Sequence, residues 1–455
     1  MPRSLRAIAC CLALGACTPP PAPAPPSILW ITLDTMRADH LALYGGRVQT
    51  PQLEALAARG LVFEQAISHF PETQLSHWSM LTGTLPGVHG DVPAQADSSY
   101  TGLTAAQILG QAGYATAAFI GGVTLRAADT GLDRGFHLYD DAVPMDPRDM
   151  RRPAAELARQ AGDWIAAQGG HPWFAFVHAF DAHFPYTPRD PARYDPGYAG
   201  AFDGTDATLA PHRDFGAPMA PADLAHVVAL YDAEISEQDE ALGALLEGLP
   251  AGTLVVVTAD HGESFEHGYL FNHRQVLYDS VLHVPLVIAA RGLAPGRVAT
   301  QVGLSDVLPT VLALAGVSSR EPFQGQPLVA ADGAGGFTPR PAEALESARM
   351  VFATTDPYHA GALFAARTPA WKAVWSVDGA PQAYDLAADP GEVSPQPVPE
   401  ALREAPEAHS TLVAAMAGVH RALPQRPPPM DVAPMLGALG YLATDRTDPP
   451  AWLPW

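Results

Sequence analysis

Thr253-Leu254-Val255-Val256-Val257-Thr258-Ala259-Asp260-His261-Gly262-Glu263 holds the most strand-like run in the chain, and the run breaks off on an acid and a histidine. Two other apolar runs end the same way. Ile28-Leu29-Trp30-Ile31-Thr32-Leu33 reads as a buried strand that stops at Asp34. Trp173-Phe174-Ala175-Phe176-Val177 leads into His178, Asp181 and His183. In open parallel sheets, ligands sit in the crevice beyond the carboxyl ends of the strands. The three polar clusters are therefore expected to meet there.

Between these runs lie amphipathic stretches that read as helices: Gln52 to Arg59 before Gly60, Thr104 to Ala112, Ala154 to Gln168, and a long one from His226 to Leu249. Such alternation of strand and helix is the pattern of an α/β domain. After Pro285-Leu286-Val287-Ile288, a helix over Asp306 to Gly316 closes the main domain. Short runs at Leu363 to Ala366 and Ala373 to Val377 suggest a smaller mixed unit, and the Pro/Ala-rich remainder ends in Pro449-Pro450-Ala451-Trp452-Leu453-Pro454-Trp455. The expected division is 1–17 signal, 18–26 linker, 27–335 main domain, 336–400 small subdomain and 401–455 tail.

The chain has 455 residues, 48% of them hydrophobic and 16% charged, enough apolar material for a large core. A formal charge of -22 argues against nucleic acid, whose backbone attracts clustered Lys and Arg. Lys372 is the only lysine, so positive charge in any site must come from Arg, His or a metal ion. All three cysteines lie within the first 17 residues, which leaves the folded body without a thiol. Arg3 and Arg6 precede an apolar run, residues 7–14, that is too short to span a bilayer. The run ends in Leu14-Gly15-Ala16-Cys17, which resembles a bacterial lipobox, and a proline-rich spacer follows. Lipidation of Cys17 would anchor the protein to a membrane of the cell envelope, periplasmic or outer-membrane-facing. An ordinary secretory signal with an incidental cysteine is the plainer alternative.

Asp260 and His261 suit a hard or borderline divalent cation, because a strand end holds carboxylate and imidazole ligands rigidly. Taken alone, Asp-His-Gly fits a loop turn equally well, and a strand-end Asp34 could cap a helix or pair with Arg37. Phe70 to Gly83 reads as a loop feeding a short helix, with Thr73 near its start. On this segment alone Thr73 is best read as an N-cap. The same place is where a nucleophile gains most from free N–H groups and the helix dipole.

The order of blocks resembles the sulfatase family of the alkaline phosphatase superfamily. Ile31 to His40, Thr73 to Gly83 and Gly87-Val88-His89-Gly90 are similar to its N-terminal blocks, and Phe176 to Tyr186 to its substrate-binding histidine segment. Thr258 to Glu263, His283 to Ile288, Leu304 to Thr310 and Tyr384 to Glu392 continue the family order. The resemblance implies a large mixed, mainly parallel sheet sandwiched by helices, with a small C-terminal α+β subdomain. It implies one divalent metal ion on Asp34, Asp260 and His261, with Thr73 as nucleophile and further ligand. The family's usual ion is Ca²⁺, while a histidine ligand shifts preference toward Zn²⁺ or Mn²⁺. His183 matches the substrate-contacting histidine, His273 stands where a substrate-binding lysine is common, and His77 takes the place of an arginine beside the nucleophile. His178, Asp181 and His267 are candidates for a second metal.

Departures from the family are as informative. Its formylglycine arises from Cys or Ser in a Cys/Ser-x-Pro-x-Arg motif, where this chain has Thr73, Leu75 and His77. Thr35 replaces the second Asp of the first metal pair, and Gly113 to Gly122 lacks the sulfate-binding Lys and His. The expected activity is metal-dependent hydrolysis of an anionic sulfate or phosphate ester, with phosphorus chemistry favoured. The alternatives are a non-catalytic binding lipoprotein and a phosphoethanolamine-type headgroup transferase.

Overall fold

A computed structural model describes residues 25–89, 100–145, 150–345, 350–355, 362–376 and 379–417. The expectations for Cys17, the signal, the body of the spacer and the final tryptophan-rich segment lie outside the described residues.

Strand β1 (Ile28–Leu33) occupies the middle of the main sheet, and every residue of it is buried. A strand covered on both faces has no polar side to show, which is why the run is continuously apolar rather than alternating. The other strands of the sheet are β2 (Leu61–Ile67), β3 (Ala115–Ile120), β4 (Leu138–Asp140), β5 (Trp173–Ala179) and β6 (Leu254–Thr258). After the two-stranded ribbon β7 (Ser264–Glu266) and β8 (Tyr269–Asn272) come β9 (His283–Ala289), β10 (Gly296–Val298) and β11 (Val302–Gly303). The strand order is β10-β2-β9-β6-β1-β5-β3-β4, with β11 also beside β2. β1 pairs in parallel with β5 on one side and β6 on the other, whereas β9 runs antiparallel to both its neighbours. The sheet is therefore mixed and mainly parallel, as the resemblance implied.

Helices cover it: α1 (Pro51–Ala57), α2 (Thr73–Thr82), α3 (Ala105–Gln111), α4 (Ala154–Ala166), α5 (Pro221–Glu247) and α6 (Val307–Ala315). In α4 the buried positions are Ala154, Leu157, Ala158, Ala161 and Ile165, the one-sided spacing of a helix resting on a sheet. α3 starts at a complete capping box between Thr104 and Gln107. The long helix begins at Pro221 rather than His226, because proline suits the first helical position, where no N–H partner is needed.

A ribbon, β12 (Val329–Ala331) with β13 (Phe337–Pro339), leads to a four-stranded antiparallel sheet. Its strands are β14 (Val351–Thr354), β15 (Leu363–Arg367), β16 (Trp371–Ser376) and β17 (Gly379–Asp385). Residues 405–417, which read as the start of a tail, form helix α7 (Ala405–Ala417). Buried Leu402 and Ala405 join the core of this small sheet, so the apolar content of the segment goes into packing. No described helix is long and apolar enough to cross a membrane.

Candidate functional site

The pairing of β1 with both β5 and β6 puts Thr32 level with His178 on one side and Thr258 on the other. Asp34, His178 and Asp260 consequently emerge together at the carboxyl end of the sheet, all fully buried. The backbone N–H of Asp34 still bonds the Ala179 carbonyl (2.9 Å), extending the ladder into the site. Asp34 Oδ2 accepts from His178 Nε2 (2.9 Å) and from the Thr73 hydroxyl (3.2 Å), while Oδ1 has no partner. Asp260 Oδ1 accepts from the backbone N–H groups of His261 (2.9 Å) and Thr35 (3.3 Å), and its Oδ2 also has none.

His261 Nδ1 lies 2.9 Å from the Gly262 carbonyl, an acceptor only, so Nδ1 carries the proton and Nε2 presents its lone pair. That lone pair is 3.3 Å from Asp260 Oδ2 and 3.4 Å from Thr73 Oγ1. Donor atoms of Asp34, Asp260 and His261 all lie within 4.8 Å of one another. Two buried carboxylate oxygens without donors and an imidazole nitrogen that touches the Thr73 hydroxyl fit a divalent cation, because a buried charge persists only when paired or metal-bound. Burial raises the Asp34 carboxyl from its ordinary 3.8 to about 7, with the His261 charge opposing the rise. Asp260 is raised as well, by burial first and then by the charge of Asp34. For His261 burial works against the charged form, yet the Asp260 and Asp34 carboxylates outweigh it and its basicity rises. The cluster thus holds negative charge that asks for a proton or a cation.

Thr73 is the first residue of α2, and the cap position belongs to Glu72, whose backbone is extended. The capping expectation fails because the Thr73 hydroxyl turns to Asp34 and His261 instead. Ser76 ties the same helix to the strand end by donating its hydroxyl proton to the Asp260 carbonyl (2.7 Å). One helical turn on, His77 Nδ1 donates to the Thr73 carbonyl (2.6 Å), and His77 Nε2 lies 2.9 Å from the Thr32 hydroxyl. Both nitrogens of His77 are therefore engaged with the protein. Thr35, where the family keeps an acid, has a φ of 56°, an outlier for a β-branched residue. Its carbonyl is held by the Tyr231 hydroxyl (2.7 Å), and its N–H is the one donated to Asp260.

His183 and His273 line the same space from β5's following loop and from the end of β8. His183 Nδ1 donates to the Phe184 carbonyl (2.8 Å), His273 Nδ1 lies 3.2 Å from Glu263 Oε1, and neither Nε2 has a partner. Ring centroids are 4.1 Å apart for His261 and His273 and 5.7 Å for His183 and His273. Burial first, then the neighbouring histidines, pushes both His183 and His273 well below the ordinary histidine value. Glu263 and Tyr186, whose hydroxyl donates to Glu263 Oε2 (2.9 Å), were not singled out from the sequence. Both lie at the ends of family-like blocks, Thr258 to Glu263 and Phe176 to Tyr186, and that was the available signal.

The candidate second-metal trio His178, Asp181 and His267 does not assemble. Asp181 instead accepts from the Ala154 N–H at the start of α4 (3.1 Å to each oxygen), and exposed His267 stacks on Tyr278 (3.9 Å). Only His178 of the three reaches the site, where it forms a close group with His77 and Asp260.

The Sulfatase family profile matches residues 26–317, well over half of the chain. The chain belongs to the sulfatase family. Among curated relatives it is 31% identical over 203 residues to arylsulfatase K of Xenopus laevis, covering 41% of this chain and 37% of that one. It is 27% identical over 339 residues to the ulvan-active sulfatase of Formosa agariphila, covering 67% of this chain and 65% of that one. The match thus spans between about a third and two thirds of these relatives' own length. In fold the sulfatase-family chain is similar to the phosphonate monoester hydrolase of Agrobacterium radiobacter, with a TM-score of 0.67, 21% identity, and coverage of 87% of this chain and 96% of that one.

Proposed function

We propose that this sulfatase-family protein is a metal-dependent hydrolase of anionic esters that uses Thr73 as nucleophile, on phosphate diesters, phosphate monoesters or phosphonates rather than on sulfate. The observation that carries the reading is the Thr73 hydroxyl itself. It sits at the start of a buried helix, 3.2 Å from Asp34 and 3.4 Å from His261, within a ligand set that fits a divalent cation. Asp34, Asp260 and His261 would hold the ion. Bound there, it supplies Lewis acidity that lowers the pKa of a neighbouring alcohol and offsets charge on a transferring group.

The rest is done by the chain. The Thr73 proton leaves along its hydrogen bond to Asp34 Oδ2 as Oγ1 forms a bond to phosphorus and the ester P–O bond breaks. The positive end of the α2 dipole favours the negative charge that develops beside Thr73. His183 and His273, with unpartnered Nε2 atoms, take up a proton when an anion arrives and give one to the departing oxygen. Glu263 holds the Nδ1 proton of His273, which fixes the tautomer that exposes Nε2. Water then cleaves the phospho-threonine at phosphorus and returns the hydroxyl. A sulfo-threonine lacks so ready a release, and the formylglycine that solves this in the family needs a Cys or Ser that position 73 does not have. We also propose that Cys17 anchors the enzyme to the cell envelope, and membrane fractionation of Cys17→Ser tests this.

The catalytic reading is tested with nitrophenyl phosphate, phosphodiester, phosphonate and sulfate esters, each assayed with Ca²⁺, Zn²⁺ and Mn²⁺. Turnover of phosphorus esters that falls at least about 10³-fold in Thr73→Ala supports it. Turnover of the sulfate ester alone overturns the phosphorus preference.

A further inference from the structure

We propose that His178 is a positioning residue of the metal centre, one that fixes the Asp34 carboxylate by a buried hydrogen bond and so sets metal affinity. This rests on the metal-centre reading above. His178 is the penultimate residue of β5, fully buried and in register with Thr32, two residues before Asp34. Its Nε2 lies 2.9 Å from Asp34 Oδ2, and its Nδ1 has no partner. With Asp34 ionised, the single ring proton belongs on Nε2, where the only hydrogen bond of the ring is made.

That bond divides the labour of the carboxylate. Oδ2 serves His178 and Thr73, and Oδ1 stays bare for a cation. A carboxylate rotates about a soft terminal torsion, so a donor from a rigid strand is what removes that freedom. The ring of His178 is in turn held edge to face against His77, with centroids 5.1 Å apart. His77 is locked by the Thr73 carbonyl and the Thr32 hydroxyl. The clamp therefore joins β5, β1 and the nucleophile helix. His77, His178 and Asp260 also have donor atoms within 4.8 Å of one another, which makes a second cation conceivable. Both nitrogens of His77 are already engaged with the protein, and the geometry favours a support over a second ion.

The test is calorimetric titration of the full chain, stripped with chelator, with Zn²⁺, Mn²⁺ and Ca²⁺, comparing wild type, His178→Ala and His178→Gln. Glutamine can place an amide N–H close to where Nε2–H stood. A thermal melt in chelator checks that each variant is folded. The expected result is one ion per chain, bound about 10- to 100-fold more weakly by His178→Ala and with most of the loss recovered in His178→Gln. At saturating metal, kcat of His178→Ala returns most of the way to wild type with KM unchanged, because the residue acts through Asp34 and not on substrate. An unchanged Kd in His178→Ala, or an equal loss in both variants, overturns the proposal. Loss of one of two bound equivalents overturns it in favour of a direct ligand. No ion bound by wild type overturns the metal-centre reading together with it.

Discussion

Asp34 carries the clearest conflict between burial and charge. Its carboxyl is moved from 3.8 to about 7 mainly by burial, so without a cation the folded chain favours the protonated form below about pH 7. A carboxyl with a raised folded pKa gives stability that is full below its unfolded value and lost as pH rises through the folded one. In chelator, wild type should therefore lose thermal stability relative to Asp34→Asn as pH climbs from about 4 to about 7. A saturating divalent cation, which binds the ionised form, should reverse the order at pH 7.5. Melting curves of the two proteins with and without metal check this, and a pH-independent difference would contradict it. At this scale the sequence was partly legible. Asp34, Asp260 and His261 stood out at strand ends, the family resemblance joined them as one ligand set, and they do converge. The clamp from His178 could not, since it depends on β5 lying beside β1, a neighbour more than a hundred residues away. Thr73 was ambiguous for a related reason: its local context is a helix start, and only Asp34 and His261 draw the hydroxyl away from capping.

Elements place these residues through close backbone packing. The turn after β6 passes so near the one-turn helix Asp279–Leu282 that a Cβ at Gly262 would stand 2.1 Å from the Ser280 carbonyl oxygen. The Gly262 N–H bonds the Val281 carbonyl across the same contact (2.9 Å). Gly262→Ala must push the Asp260-His261 turn aside, and metal affinity should drop more than about 10-fold. Titration with Zn²⁺ or Mn²⁺ reads this directly, and an unchanged Kd would show that the turn is not the device that aligns the two ligands. β6 was legible as an element because a run of β-branched residues has few other uses. The antiparallel sense of β9 was not, since an apolar run carries no direction. The loop that carries His273 is fastened to the start of α2 by the Arg274–Glu72 ion pair (3.2 Å), a link invisible in either segment alone.

The main sheet and the small antiparallel sheet are joined by charge in the protein interior. Lys372, the chain's only lysine, is fully buried on β16, donates to Asp279 (2.9 Å) and forms an ion pair with Glu392 (2.6 Å). Arg367 on β15 adds a second cation at Asp279 (2.8 Å), and the two hold its carboxyl far below the usual range against the cost of burial. Removing one partner of a buried ion pair leaves charge without compensation, so Lys372→Met should cost about 3 kcal/mol. Denaturant unfolding measures it, with Lys372→Met/Glu392→Gln expected to recover part of the loss; a change below about 0.5 kcal/mol would show the network to be idle. The small sheet was visible in the sequence as two short apolar runs, but its attachment was not, because single charged residues far apart give no pairing signal. The main architecture was more legible, since the strand and polar-end pattern repeats three times along the chain.

All of this architecture converges on one alcohol beside one candidate cation site, and a search for the proposed covalent intermediate tests that convergence most directly. The metal-loaded protein would be mixed with a nitrophenyl phosphonate or phosphodiester, quenched in acid within the first turnovers, digested, and read by mass spectrometry. The account predicts a phosphonyl or phosphoryl group on Thr73, absent after chelation and absent in Thr73→Ala. Steady turnover with no adduct on Thr73, together with undiminished activity in Thr73→Ala, would contradict it.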